Sequence, residues 1–237
     1  MTLDQNQSLA APKIAPQPKL RWRRKLFASL WPHRVGALEK LNEAAEFVNF
    51  ANRNSRAIVG PKRQDVWRHI HRGITGPITY LEFGVFEGES IRFWSTQDKH
   101  PESRFVGFDR FEGLPHDWHG NIKKGHFDTG GRIPVIDDPR VSFIKGDFQD
   151  TLRPFLASLV VHGTLVVHCD ADLYSATLYV LATLDHILLR STYVMFDEFA
   201  DLAHEWSAFH DYLAACNRKY DVVCATEDFD KVAIKIA

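Results

Sequence analysis

Long hydrophobic runs are missing from this chain: no apolar stretch approaches the roughly 18–20 residues that a membrane-spanning helix needs. Cysteine is scarce. Cys169, Cys216 and Cys224 are an odd number at wide spacings, which suits neither a disulfide framework nor a CxxC zinc site and favours a reducing, cytoplasmic setting. Met1–Pro18 is polar and contains proline, without the apolar core of a secretory signal. No G-x-G-x-x-G run of the dinucleotide-binding kind is present either. Net charge is also small, at −1 over 237 residues, with 45% hydrophobic and 25% charged side chains. That ordinary composition excludes wholesale disorder, collagen-like and coiled-coil architectures. The length allows one sizeable core, with or without an appendage.

The near-neutral total conceals an asymmetry. Residues 1–40 hold eight Lys/Arg against two acids, a charge of +6, while the rest holds 21 basic and 28 acidic residues, a charge of −7. Residues 1–18 read as a disordered tail and 19–76 as a helical extension or lid. Within the latter, Leu20–His33 mixes Trp22, Phe27, Leu30 and Trp31 with cations. Such a segment can lie on an anionic surface or nucleic acid, but a short helix packing those side chains on the body is the simpler reading. From Ala37 to Asn52 the spacing of Leu38, Leu41, Ala45 and Val48 predicts a helix with those residues as its buried stripe. Another helix is expected over Asp65–Arg72, ended by Gly73, Gly76 and Pro77.

Residues 77–237 change character. Short β-rich runs, Ile78–Phe83, Arg104–Asp109, Val141–Lys145, Thr164–Cys169 and Thr192–Phe196, alternate with helical stretches near Gly88–Gln97, Asp150–Leu159 and Ser175–Leu189. This is the pattern of a parallel sheet covered by helices. A further helix, Ala203–Lys219, carries Trp206 and Phe209 at core spacing. Tyr220–Thr226 and Lys231–Ile236 then follow as strands. Only Glu227–Asp230 separates them, too little for a crossover, so they pair as an antiparallel hairpin. Five parallel β/α steps ending in a hairpin give an α/β, Rossmann-like sheet of the class I methyltransferase layout.

In open α/β sheets, ligands bind beyond the carboxyl ends of the strands, and acids stand at nearly all of these ends. The first strand runs into Glu82-Phe83-Gly84-Val85-Phe86-Glu87-Gly88, where Gly84 and Gly88 permit a tight turn and a close backbone approach to a ligand. The second ends in Asp109, placed where an acid commonly takes ribose hydroxyls. The third leads to Gly146-Asp147-Phe148, the fourth to Asp170-Ala171-Asp172 and the fifth to Asp197-Glu198. Taken alone, Asp172 has the simpler reading of an N-cap for the helix starting near Ser175, which does not exclude chemistry. Acids at five successive strand ends would repel one another unless they bind a cation, hydroxyls or amines. Glu82, Asp109 and Asp147 suit a nucleoside ligand bearing an ammonium. Asp170, Asp197 and Glu198 suit Mg²⁺ or a similar ion, which leaves Asp172 free as a base.

At these residues the chain resembles the macrocin O-methyltransferase family of S-adenosylmethionine enzymes. The matching stretches are LEFGVFEGESI (81–91), GFDRFEGLPHDW (107–118), GDFQDTL (146–152), DADLYSAT (170–177) and FDEF (196–199). The resemblance implies a seven-stranded fold with an N-terminal helical lid, and Mg²⁺-assisted methyl transfer to a hydroxyl of a sugar or other natural-product intermediate. It implies cofactor contacts from Glu82, Gly84, Gly88, Ser90, Asp109, Arg110, Asp147, Phe148 and Asp170, with Glu82 at the methionine end, Asp109 at the ribose and Asp147 with Phe148 at the adenine. It implies Asp170, Asp197 and Glu198 as metal ligands and Asp172 as general base. Two positions depart from the family pattern: Glu198 stands where Asp is usual, and Glu89 where Gly is common.

Other readings compete. His116, His119, His126 and His204 are rival bases; His168, inside a buried strand, reads as core. Trp118 and Phe111 suit a pocket wall or the core equally. A nicotinamide oxidoreductase lacks its glycine signature here, and a non-catalytic nucleoside-binding module would have no need of acids at every strand end. Nucleic-acid methylation rests only on the basic head, since the acidic body offers no basic groove. The expected partner is a small hydroxyl-bearing acceptor, and a homo-oligomer is compatible with this reading.

Overall fold

The computed structural model describes residues 32–237, with side chains from Lys40 onwards. The tail expected over residues 1–18, and nearly all of the Leu20–His33 segment, lie outside the described residues. The chain divides after Glu43, within the helix that leads into the second unit, Ala44–Ala237.

That helix, α1 (Pro32–Arg53), is followed by a short strand β1 (Ile58–Gly60), α2 (Arg63–Arg72), β2 (Ile78–Phe83), α3 (Glu89–Gln97), β3 (Arg104–Asp109), β4 (Val141–Lys145) and α4 (Phe148–Leu156). Next come β5 (Thr164–Cys169), α5 (Tyr174–Leu184), β6 (Tyr193–Phe196), a π-helical turn (Leu202–Trp206), α6 (Ser207–Cys216), β7 (Tyr220–Thr226) and β8 (Val232–Ile236). The strands form one sheet in the order β1-β7-β8-β6-β5-β2-β3-β4. Only β8 runs antiparallel to its neighbours, β6 and β7. The expected parallel core and C-terminal hairpin are both present.

Among the described residues the sheet has eight strands rather than seven. The extra one, β1, pairs in parallel with β7; at three residues it is too short to carry a periodic signal. Residues 44–72, assigned from sequence to an extension, supply this edge strand and core residues Val66, Trp67 and Ile70 of α2. In α1, the helix is as expected but its inward face is not. Phe50 is buried and Phe47 and Ala51 pack on the same core, whereas Val48 is 55% exposed. Phe47, Phe50 and Ala51 form their own i, i+3, i+4 stripe, and its two aromatic rings bury more apolar area than the smaller residues of the alternative stripe.

Alternation along each strand sorts the side chains into two cores. Leu81, Phe83, Phe108, Val167 and Phe196 pack with α4, α5 and α6 on one face, joined by Trp206 and Phe209 as expected. Ile78, Tyr80, Phe105, Val166 and Met195 pack with α2 and α3 on the other. Glu82 and His168 are register partners on adjacent strands, and alternation puts both on this second face. The three cysteines are free thiols, two of them buried. Among the described residues no helix is long and apolar enough to cross a membrane.

Candidate active site

A cavity of about 600 Å³ opens at the carboxyl ends of β2, β3, β5 and β6. Its wall brings together Gly84, Ser90, Asp109, Arg110, Asp147, Phe148, Asp170, Asp172, Asp197 and Glu198. Ten of the twelve residues singled out from sequence therefore share one cavity. Glu82 and Gly88 do not reach its wall.

Glu82 is fully buried and stands one layer behind. Its Oε1 accepts from the Ser90 hydroxyl at 2.6 Å and its Oε2 from Tyr80 at 2.7 Å. In the ligand-free protein Ser90 lines the cavity while Glu82, expected to contact a cofactor directly, holds the Ser90 hydroxyl from behind the wall. Inward alternation on a central strand forces this, because Glu82 lies two residues after Tyr80 on the same side. Burial raises the Glu82 carboxyl to about 6, against the opposing effects of His168, Ser90 and Tyr80. Gly88 has φ 76°, and a Cβ there would approach Pro134 rather than the cavity; its role is the turn that starts α3. Gly84, with φ 95°, packs so closely that a Cβ would lie 1.6 Å from the Asp170 carbonyl oxygen. Only glycine lets the ends of β2 and β5 meet there.

At the end of β3, Asp109 Oδ2 accepts from the amides of Val85 (2.8 Å) and Phe86 (2.9 Å), and Oδ1 from Phe111 (2.6 Å). Three of roughly four acceptor positions are used, so the carboxylate is fixed in place with one left for a ligand. Arg110 Nε pairs with Asp147 Oδ1 at 3.0 Å, and Phe148 stacks edge-on against Phe83 at 5.4 Å. The irregular segment between β3 and β4 contributes Leu114, Pro115, His116 and Phe127 to the wall. Phe111 is not among the lining residues; it is buried and packs on Phe143. Trp118 instead donates its indole N–H to Asp201 at 2.8 Å, and His119 lies 3.7 Å from the same carboxylate. His204 accepts from the Tyr174 amide, and burial lowers its pKa. Of the four rival histidines, His116 alone reaches the cavity.

The acids at β5 and β6 form the most charged part of the site. Ligand atoms of His168, Asp170 and Asp197 lie within 4.8 Å of one another, as do those of Asp170, Asp172 and Glu198. The expected metal triad of Asp170, Asp197 and Glu198 is therefore divided between two groupings that share Asp170, and His168 joins one of them. Among the described residues, His168 Nε2 and Glu198 Oε2 are buried without a hydrogen-bond partner. Oxygen-rich donors with unmet bonding capacity fit a hard divalent cation. Burial, then repulsion from Asp197 and Glu198, pushes the Asp170 carboxyl well above the usual range. Burial and Asp197 raise Glu198 to about 9. Asp197 behaves oppositely: burial would raise it, but His168, Lys231 and Arg63 together hold it down at about 2.

Asp172 is 7% exposed and has φ 59°, a left-handed conformation that costs a non-glycine residue on the order of 1–3 kcal/mol. It does not cap α5, whose N-cap is Leu173. The strained backbone instead holds the carboxylate at the cavity wall. Burial first, then Asp197, Asp109 and Asp201, raises it to about 7, against the pull of Lys231.

Three contributors escape a reading of the strand ends. Lys231 Nζ lies 3.5 Å from Asp197 Oδ2 and 3.9 Å from Glu198 Oε1. Antiparallel pairing of Phe196 with Val232 puts it there, so knowing that β8 adjoins β6 would have found it. Glu205, fully buried in the π-helical turn, accepts from the Glu198 amide at 2.9 Å. Arg63, from the first turn of α2, contacts Asp197 Oδ2 at 3.3 Å; nothing in its local sequence marks it.

No curated protein matches the chain. Among solved structures, the O-methyltransferase NovP is 22% identical, with 73% of this chain and 76% of that one covered at a TM-score of 0.51. CalS11, a calicheamicin methyltransferase, is 17% identical over 97% and 99% of the two chains, at 0.55. An O-methyltransferase from Bacillus cereus in complex with SAH is 14% identical over 90% and 96%, at 0.51. At these identities the likeness is one of fold. A family described as a methyltransferase domain matches residues 81–199, just over half the chain and the whole stretch from β2 to the end of the acid cluster. The chain belongs to this methyltransferase domain family.

Proposed function

We propose that the protein is an S-adenosylmethionine-dependent O-methyltransferase that acts, with a divalent cation such as Mg²⁺, on a hydroxyl of a small molecule of the sugar or natural-product type. One observation carries the reading: the buried cluster of Asp170, Asp172, Asp197 and Glu198 opens into the same cavity as Gly84, Ser90 and Asp109. Both a nucleoside site and a cation site are thereby within reach of one acceptor. When bound, S-adenosylmethionine supplies a sulfonium methyl group, and the cation supplies a Lewis acid beside the acceptor oxygen.

The chain's own residues do the rest. Ser90, Gly84 and Asp170 bind the methionine end, with Glu82 orienting Ser90. Asp109 takes a ribose hydroxyl, and Asp147 with Phe148 the adenine, where Arg110 fixes Asp147. Asp170, Asp197 and Glu198 hold the cation. Asp172, whose carboxylate stands at the cavity wall beside this cluster, removes the acceptor's proton, base catalysis worth typically 10²–10⁴-fold. Holding acceptor and methyl group in line contributes on the order of 7–11 kcal/mol more. A setting in the cytoplasm, with no nucleic-acid substrate, accords with this chemistry. Calorimetric titration with S-adenosylhomocysteine, together with turnover of Asp172→Asn and Asp170→Ala on a panel of vicinal diols, tests the reading. Undiminished turnover in either variant overturns the mechanism; stabilisation by NAD and not by S-adenosylhomocysteine overturns the cofactor.

A further inference from the structure

The cavity poses a charge problem that acids alone do not solve. Its wall is carboxylate at Asp109, Asp147, Asp170, Asp172, Asp197 and Glu198, yet the methionine end of the proposed cofactor carries a carboxylate of its own. An anion there needs a cation. Among the described lining residues the guanidinium groups are Arg63 and Arg110, and Arg110 is taken by Asp147 on the adenine side. Arg63 is at the other end, near Asp170 and in contact with Asp197 and with Glu89, the neighbour of Ser90.

Arg63 is held where a ligand could use it. It opens α2, whose start is fixed by the Lys62 amide donating to Asp65 at 3.1 Å. Its guanidinium lies 5.2 Å from the centre of the Trp67 ring. Nη1 reaches Asp197 Oδ2 at 3.3 Å, and Nη2 bonds Glu89 Oε2. Gln64 adds a 2.8 Å bond to the other Glu89 oxygen. Glu89 is the first residue of α3 and immediate neighbour of Ser90. Its side chain is 58% exposed, against 4% for Asp197. The two partners of Arg63 are thus unequal: Asp197 is an anchor, and Glu89 an exposed pairing of the kind that contributes little.

We infer that Arg63 receives the α-carboxylate of the cofactor's methionine, and that Glu89 occupies its guanidinium until the cofactor arrives. A guanidinium offers five donors in a fixed fork, so Nη1 can stay on Asp197 while Nη2 changes partner. Displaced Glu89 keeps its place at the N-terminus of α3, where a negative charge is favourable, so the exchange costs little. The inference rests on the S-adenosylmethionine reading and adds to it a recognition residue and a competitor built into the chain.

Binding of two ligands tests it by calorimetry: S-adenosylhomocysteine, and S-adenosyl-3-thiopropylamine, which lacks only the carboxylate. Wild-type protein should prefer S-adenosylhomocysteine by about tenfold or more, as expected for a charge-assisted bond. Arg63→Gln should erase that preference and leave the affinity for the decarboxylated ligand within about twofold. Arg63→Lys, which keeps the charge beside Asp197, should reduce the preference at least about threefold, because Lys lacks the fork. Glu89→Gln should tighten S-adenosylhomocysteine by roughly two- to fivefold and leave the other ligand unchanged. A preference that persists in Arg63→Gln, or stays whole in Arg63→Lys where the Gln variant does not fold, overturns the inference alone. So does equal weakening of both ligands in Arg63→Gln. Wild-type protein that binds neither ligand overturns the cofactor reading, and this inference with it.

Discussion

Replacing Glu82 by Gln should make the ligand-free protein more stable, and only where the carboxyl is ionised. Glu82 is fully buried in the centre of the sheet and titrates at about 6, against an ordinary value of 4.5. Between those values the folded chain binds a proton that the unfolded chain has lost. The stability contributed by the protonated form is therefore fully present below pH about 4.5, and it is lost as the pH rises through about 6. The difference amounts to about 2 kcal/mol. Gln fills the same space, can accept from Ser90 and meet the Tyr80 hydroxyl, and never ionises. Its advantage over wild type should be near zero at pH 4.5 and grow to about 2 kcal/mol at pH 7.5, or about 4–8 °C in Tm for a chain of this size. Paired thermal melts at several pH values measure it, and taking the difference at each pH cancels the titrating groups that do not interact with Glu82. A difference that does not change with pH would refute the claim that the Glu82 carboxylate carries a burial penalty. The same variant should bind S-adenosylhomocysteine roughly fivefold less tightly, because the 2.6 Å bond that orients Ser90 loses its charge. Stability gained with affinity lost would mark Glu82 as retained for the site rather than for the fold.

Asp172→Asn should lower turnover by 10²–10⁴-fold while leaving S-adenosylhomocysteine binding within about threefold, as rate and calorimetric measurements will show. Gly84→Ala should cost about 3 kcal/mol or more in urea unfolding, since its Cβ would meet the Asp170 carbonyl at 1.6 Å with φ at 95°. Gly88→Ala, at 3.2 Å from Pro134, should cost only about 1 kcal/mol. Addition of Mg²⁺ or Mn²⁺ should raise the Tm of wild type, and Asp170→Ala should abolish that rise, because Asp170 belongs to both groupings of candidate ligands.

The strand ends were legible because the carboxyl edge of a parallel sheet is generic: wherever a β-rich run stops, its next residues face the ligand side. Asp109, Asp147, Asp170, Asp172, Asp197 and Glu198 all follow from that rule, and all line the cavity. Glu82 fails it by one step, because it lies within the strand and alternation turns it inward, behind Ser90. The eighth strand was hidden for a different reason, since three residues cannot show a period. What sequence order conceals most is charge balance. The five consecutive acidic ends read as a repulsive cluster, yet Asp197 is held below its ordinary range. Its partners come from far away: Arg63 from the first turn of α2, Lys231 from the start of β8, and His168 from the adjacent strand. Each is set by sheet order or helix docking, so no local pattern announces it. Asp170 and Glu198, reached less well by Arg63 and Lys231, are the acids pushed upward. The uneven distribution of cations splits one run of acids into a member that stays ionised and others that hold protons, which the divalent cation of the proposed function would displace. Uniform neutralisation by lysine and arginine would leave no carboxyl of this cluster open to a cation, the role the proposed function gives it.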